Sequence, residues 1–465
     1  MPQKIRYYVI KRFATIACLF ILTSQTFAQP TAIPQSQELL NGLKILLWPK
    51  PGSPEVVVKL RIHSGSAFDL AGKAGEMALL GDILFPNSET FEYFSEQMGG
   101  KLGVSVNYDS MTITMVGKAE QLDNILEVLR NAILSTQLTP EVVARARDAR
   151  IKIVRDTSVS PAIVADRAIA LRLFGDFPYA RSSAGSAEDL ARVDRADLML
   201  AKERFLNSNN ATLAIVGGVN ESKTLRTLKR LFGAWRKSED VIPSTFRAPK
   251  PPDSRTLIVS NPSPTAEIRL AVRGVSRPDQ DFFATVVLAR LAQSRWQALI
   301  PNSSKQPVFV RSDSYMLPGM FVMGTSVSNQ STVESLGLAK RVLDSLITTP
   351  ATTDELDRAK TEAQADYNRP ARPDTEPDSW LDMDTYRLSL DGVTTNTLQK
   401  LTSADLQRVA TRLMKSAPIA TVVVGDTQQL KSALQGHVSF EVLGEVTEAA
   451  PAPKPPTKTT PTTKP

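Results

Sequence analysis

Short apolar runs at 43–49 and 56–62, and again at 257–260 and 266–272, predict two pairs of β-strands, each pair read as neighbours. A helical spacing of apolar residues follows each pair, at 73–85 and at 280–297. Two further strands come next in each case, 102–106 with 111–116 and 308–314 with 320–326, and long charged helices follow. In the first of these, Val142, Ala146, Ala149 and Ile153 fall on one side and predict its buried face.

The order then recurs in its details. Residues 189–218 and 398–426 each pass from a capping residue, Asp194 or Thr402, through Ala-Asp-Leu and a helix-like stretch to an apolar strand that ends in glycine. A short amphipathic helix follows each strand, beginning near Glu221 and near Thr427. A pattern repeated about two hundred residues apart predicts duplicated halves. Each half reads as α+β, an antiparallel-rich sheet with helices packed on one face. The halves are expected at 29–237 and 257–440, joined by a linker at 238–256 where proline and lysine break the periodicity.

The two ends have other compositions. Lys4, Arg6, Lys11 and Arg12 precede an apolar run at 13–22, and Thr26-Phe27-Ala28 offers a small-residue cleavage site, the layout of an export signal at 1–28. The run is about half of the ~20 residues needed to span a bilayer. Residues 441–465, with Ala, Pro, Lys and Thr alone from Ala449 on, cannot bury a core and read as a solvated tail.

Charge and cysteine usage narrow the chemistry. The formal charge is +7, but the leader's four basic residues and Lys454, Lys458 and Lys464 account for all of it, leaving a neutral body. A nucleic-acid binder needs a basic face to neutralise phosphates, so that class is set aside. Cys18 is the sole cysteine and lies in the leader, which leaves the exported chain without disulfides, thiolate nucleophiles or sulfur ligands.

At Asn41-Gly42-Leu43-Lys44-Ile45-Leu46-Leu47, in the segment from Gly72 to Phe85 (GKAGEMALLGDILF), at Met98-Gly99-Gly100-Lys101-Leu102 and at Asn209-Asn210-Ala211-Thr212, the chain resembles the pitrilysin/insulinase family of inverted-zincin peptidases. The resemblance covers about residues 38–436. It implies the mitochondrial-processing-peptidase/LuxS-like fold, with two halves closing around a peptide chamber and, in smaller members, assembly as dimers.

The family's zinc helix carries H-x-x-E-H, two histidines on one face with a glutamate as general base. With Leu84-Phe85 as anchor, the motif falls on Ala78-Leu79-Leu80-Gly81-Asp82, and the family's further glutamate ligand falls at Arg150. Only Asp82 can ligate a metal there, and an arginine repels a dication. Zinc is therefore expected to be absent, and two arrangements are open: Asp82 and Arg150 meet in an ion pair that fills the vacated position, or Arg150 turns to solvent while Asp82 caps or hydrogen-bonds locally. The chain's two histidines, His63 and His437, read as turn or surface residues. The family's substrate-steadying arginine and tyrosine fall on Asn302 and Phe309, with Lys305, Arg311 and Tyr315 nearby as alternative counterparts.

The segment 102–106, with Leu102, Val104 and Val106 alternating, corresponds to the edge strand that receives substrate in the family, where backbone hydrogen bonds need no metal, and it reads equally as a covered core strand. The resulting expectation is a non-catalytic, exported homologue, in the periplasm or secreted, without a transmembrane segment. It would pair with an active zinc peptidase of the same family and contribute to a chamber that binds peptide or unfolded polypeptide. The alternatives are a stand-alone peptide-binding or scaffold protein, and a peptidase with unorthodox ligands drawn from Asp82, Glu76 and His63.

Overall fold

The computed structural model describes residues 34–86, 88–239, 246–300, 306–367, 377–389 and 396–443. The leader, Asn302, Lys305, the middle of the linker and nearly all of 441–465 lie outside the described residues.

Strands β1 (Gln35–Glu38), β2 (Lys44–Pro49), β3 (Glu55–Ile62), β4 (Lys101–Val106), β5 (Met111–Lys118) and β6 (Ala211–Gly217) form a sheet in the order β1-β2-β6-β3-β5-β4. Strands β7 (Thr256–Ser260), β8 (Thr265–Arg273), β9 (Val308–Asp313), β10 (Met320–Ser328), β11 (Ala420–Gly425) and β12 (Phe440–Val442) form a second, in the order β12-β7-β11-β8-β10-β9. The strand spans agree with the sequence reading, but the pairing does not. The last long strand of each half inserts between the two expected to be neighbours. β6 runs parallel to β2 and antiparallel to β3, and β11 stands likewise between β7 and β8. Every residue of β6 and of β11 is buried, so these strands belong at the middle of a sheet covered on both faces.

The first half contains α1 (Glu76–Leu84), α2 (Ser88–Glu96), α3 (Leu122–Arg130), α4 (Pro140–Thr157), α5 (Pro161–Phe174), α6 (Ala187–Leu190), α7 (Arg195–Phe205) and α8 (Glu221–Phe232). The second contains α9 (Phe282–Leu299), α10 (Thr332–Thr348), α11 (Thr353–Tyr367), α12 (Asp378–Tyr386), α13 (Asn396–Lys400), α14 (Ser403–Met414) and α15 (Thr427–Leu434). The predicted caps are in place: Asp194 and Thr402 each close a reciprocal capping box on α7 and α14. Within each half, one sheet face meets that half's own helices. Leu60, Leu213 and Ile215 pack with Leu79, Ile83 and Leu126, and Ile268, Leu270 and Val423 pack with Leu288, Val342 and Val409.

The opposite face of each sheet is covered by a helix from the other half. Ala165, Ile169, Leu173 and Phe174 of α5 pack on Val322, Val422 and Val424 of the second sheet. Burying the three large ones is worth roughly 5–9 kcal/mol as an upper estimate. In exchange, α12 sets Trp380 and Leu381 on Leu46, Trp48, Val57 and Val216 of the first sheet. Trp48 and Trp380 meet edge to face at 5.6 Å.

Helix α4 follows the predicted face only in part: Val142 and Ala146 pack half-buried against the core, and the rest of the stripe is rotated away. Ile153 is 57% exposed and Ala149 is exposed, whereas Val143 and Val154 are buried. Arg147 and Arg150 fall between those two on the same side, so the inward stripe of this helix is half cationic.

Candidate functional site: a two-helix ion pair beneath an open sheet edge

Helix α1 is fixed from its N-terminus. Asp69 accepts backbone N–H bonds from Gly75 at 2.7 Å and Met77 at 2.9 Å, so its carboxylate satisfies donors that the first turn cannot. Burial pushes this carboxyl up to about 7, against the two N–H bonds that lower it. Gly75 precedes the helix at φ +94°, where a Cβ would stand 2.8 Å from Gly185 Cα. These contacts set the rotation of α1, turning Met77, Leu80 and Leu84 into the core.

On that register the positions matching the zinc motif fall together. Ala78 is buried, and Asp82 reaches toward α4. Arg150 grips both oxygens of Asp82, Nε to Oδ2 at 2.5 Å and Nη2 to Oδ1 at 2.6 Å. Planar guanidinium and planar carboxylate meet in a two-pronged bond, the expected pairing of these side chains. Gly81 is buried on the neighbouring side of α1. A Cβ there would point at the underside of β4, 3.0 Å from Val104 Cγ1, 3.6 Å from Met111 Cε and 3.7 Å from Val106 Cγ2.

Strand β4 lies at the sheet margin and pairs with β5 alone among the described strands. Leu102, Val104 and Val106 turn half-buried side chains toward the first core. Its other rim presents backbone groups with no strand partner among the described residues.

These residues do not fit a zinc ion. The motif positions offer a methyl, a hydrogen and one carboxylate, and that carboxylate is held by a permanent cation. No group of three or more His, Cys, Asp or Glu among the described residues is arranged to hold a metal. The unorthodox set dissolves as well. Glu76 accepts the Leu70 N–H at 3.0 Å, and burial raises its carboxyl.

His63 is half-buried and bonded through both ring nitrogens rather than a free surface residue, which corrects the sequence reading. Its Nδ1 lies 3.0 Å from Thr385 Oγ1 of α12 and its Nε2 lies 3.0 Å from Thr212 Oγ1 of β6. Burial lowers the imidazole to about 4; Asp384 pulls it up, and Arg61 and Lys44 push it further down. His437 is an exposed turn residue, as expected.

In the second half, Phe309 lies on β9 with the guanidinium of Arg269 4.9 Å and that of Arg311 5.3 Å from its ring centre. Arg311 is engaged by Asp313 at 3.1 Å and by Asp166 of α5 at 3.4 Å. Tyr315 is half-buried, its ring 4.9 Å from those of Tyr108 and Tyr179. The candidate steadying residues are thus spent on the joint between the halves.

The sequence reading missed three features. Asp109 ties that joint together, accepting from Tyr179 Oη at 3.1 Å and from the Met316 N–H at 2.9 Å across the halves. Burial raises its carboxyl to about 6. Asp69 is the second. The third is the acidic face of α12: Asp378 meets Lys59 at 2.7 Å and Arg61 at 3.3 Å, Asp382 meets Arg61 at 2.5 Å, and Asp384 pairs with Lys44. The signal was there in Lys59 and Arg61, two cations on a strand that is otherwise apolar after Glu55, answered by three aspartates in seven residues.

Comparison with known proteins agrees with this geometry. The profile described as "Insulinase (Peptidase family M16)" matches residues 44–185, and the profile described as "Peptidase M16 inactive domain" matches residues 192–363. The chain is 23% identical to the zinc protease PqqE of Helicobacter pylori over 90% of its own length and 99% of that protein's. It is 21% identical to the mitochondrial-processing peptidase subunit beta of Neurospora crassa, and there the match spans 58% of this chain and 57% of that subunit. It is also 22% identical to human cytochrome b-c1 complex subunit 1 over 48% of each. Among solved structures, a protease from Helicobacter pylori superposes with a TM-score of 0.77 at 21% identity, covering 84% of this chain and all of that one. A peptidase M16 inactive domain from Pseudomonas fluorescens superposes with a TM-score of 0.76 at 18% identity, covering 85% and 98%. The duplicated sheets, the order of their strands and both matched profiles make this chain a member of the insulinase family, peptidase family M16.

Proposed function

We propose that this protein is a non-catalytic M16 subunit of the cell envelope, which pairs with a zinc-bearing peptidase of the same family and contributes peptide-binding surface to the joint chamber. The observation that carries the reading is the Asp82–Arg150 pair, which puts a bound cation side chain where the family resemblance puts a metal ligand. Hydrolysis needs an activated water, and neither a metal site nor a free general base stands on this face of α1.

The open rim of β4 supports the binding half of the reading. An extended peptide adds to such an edge by main-chain hydrogen bonds, with side-chain selection left to neighbouring surfaces. Two curated relatives are, by their names, subunits. The basic and apolar leader supports export. Among the described residues no helix is long and apolar enough to cross a membrane.

The test is recovery of the tagged full-length protein from its native envelope. The expected result is co-purification of a second M16 chain bearing H-x-x-E-H, no stoichiometric zinc in this chain, and peptide cleavage only when the two are combined. Cleavage by this chain alone, abolished by a chelator and restored by zinc, overturns the proposal. Saturable peptide binding without any M16 partner moves it to the stand-alone peptide-binding protein.

A further inference from the structure

Helix α2, which follows the motif helix, has an unusual surface. It carries Glu89, Glu92 and Glu96 with no basic residue, and it leaves Phe91 40% and Tyr93 46% exposed. Beside it a groove of about 470 Å³ opens against the ends of α1 and α3, walled by Phe85, Glu89, Tyr93, Val128, Asn131 and Ala132. Phe85 and Phe91 meet edge to face at 6.3 Å and form one lip. Arg130 stands nearby, but its guanidinium is turned to Asn131 Oδ1 at 3.0 Å and Ser135 Oγ at 3.3 Å. An aromatic groove with an acidic flank suits an extended, proline-rich, basic segment.

The chain contains such a segment. Residues 449–465 hold six prolines, Lys454, Lys458 and Lys464, and no acid. Ala452-Pro453-Lys454-Pro455-Pro456 also repeats Ala248-Pro249-Lys250-Pro251-Pro252 residue for residue. The earlier copy lies along the body without regular secondary structure, its Pro249 carbonyl accepting from Arg273 Nη2 at 2.8 Å and its Lys250 carbonyl from the same nitrogen. This sequence is therefore already used once in the fold as an extended segment held through its carbonyls. The nine residues between Leu443 and Pro453 form a tether that reaches about 30 Å when stretched.

We propose that the stretch Pro453 to Lys458, within residues 449–465, docks along α2 of its own chain, with prolines against Phe85, Phe91 and Tyr93 and with Lys454 and Lys458 facing the row of Glu89, Glu92 and Glu96. Proline-rich segments lose little freedom on docking, because the backbone is already extended before it binds. Lys454 and Lys458, about 12 Å apart in an extended segment, match the ~10 Å from Glu89 to Glu96 and add an attraction that salt screens.

All described strands and helices end by Val442, so a chain ending at Leu443 keeps both cores. The test titrates a fluorescent peptide of residues 449–465 into that shortened chain. Saturable binding is expected, weakened roughly tenfold by Tyr93→Ala and by the triple reversal Glu89→Lys, Glu92→Lys, Glu96→Lys. Amide hydrogen exchange across α2 should be slower in the full chain than in the shortened one, and unchanged melting temperatures control for folding. Equal binding by the charge-reversed chain, or identical exchange with and without the segment, overturns the proposal. A dimer seen by sedimentation that vanishes when the segment is removed also overturns it, because docking then joins two copies.

Discussion

Val104 occupies the space into which a side chain at Gly81 would grow, its Cγ1 3.0 Å from where a Cβ would sit. The zinc motif has therefore lost room as well as ligands. Gly81→Glu should destabilise the fold by about 1–3 kcal/mol, the usual cost of overfilling a packed site. Adding Val104→Ala should recover more than half of that loss. Urea denaturation of the two single variants and the double variant measures the coupling.

The Asp82–Arg150 pair is partly open to solvent, with Asp82 36% exposed, so its worth is modest despite its two short bonds. A double-mutant cycle through Asp82→Ala, Arg150→Ala and both should return a coupling of about 1 kcal/mol that falls in 1 M salt. Zinc content should stay at background in all four proteins, read by elemental analysis after dialysis.

His63 makes stability fall on the acid side. Its imidazole titrates at about 4 in the folded chain against 6.5 unfolded, so between those values the unfolded state takes up the proton. Stability present above pH 6.5 is lost as pH drops toward 4, by about 2–3 kcal/mol from pH 7 to pH 4.5. Asp69 and Asp109, both raised, act in the opposite sense, favouring the folded state at low pH and losing that contribution as pH climbs through about 7 and about 6. His63→Gln keeps hydrogen-bonding capacity toward Thr212 and Thr385 without a titration. Whatever Asp69 and Asp109 contribute to both proteins, urea denaturation should show this variant retaining about 2 kcal/mol more stability than the parent on going from pH 7 to pH 4.5, and an equal pH change in the two would remove His63 as the cause.

Arg61 is 9% exposed and bridges Asp382 and Asp378 of α12. Burial raises Asp382, and Arg61 is the main influence holding it down. Arg61→Ala leaves that carboxylate without its cation and should cost about 3 kcal/mol. Limited proteolysis should then cut near α12 first, because the helix has lost its principal charge contact with the sheet.

Much of the architecture was legible because it is local. Apolar period and capping chemistry placed β3, β4 and β8 within a residue or two, and Asp194 and Thr402 announced α7 and α14 through the same reciprocal bonds. The Asp82–Arg150 pair was also within reach, since a lost cation ligand opposite a gained arginine is a charge argument that needs no coordinates. What local pattern could not supply was partnership at long range. β6 slides between β2 and β3 because all of its residues are buried, which neither neighbouring strand records. Nothing local to Lys59 and Arg61 says that their partners are the aspartates of α12, more than three hundred residues away. His63 was misread for the same reason, because both of its hydroxyl partners come from distant segments.

The crossing of α5 and α12 makes the halves hostages of each other. Either half alone would face water with a hydrophobic sheet surface, or with stranded cations, that only its twin can cover. A ribosome must release both before either is finished, and a cut between them should yield fragments that still cling together in solution.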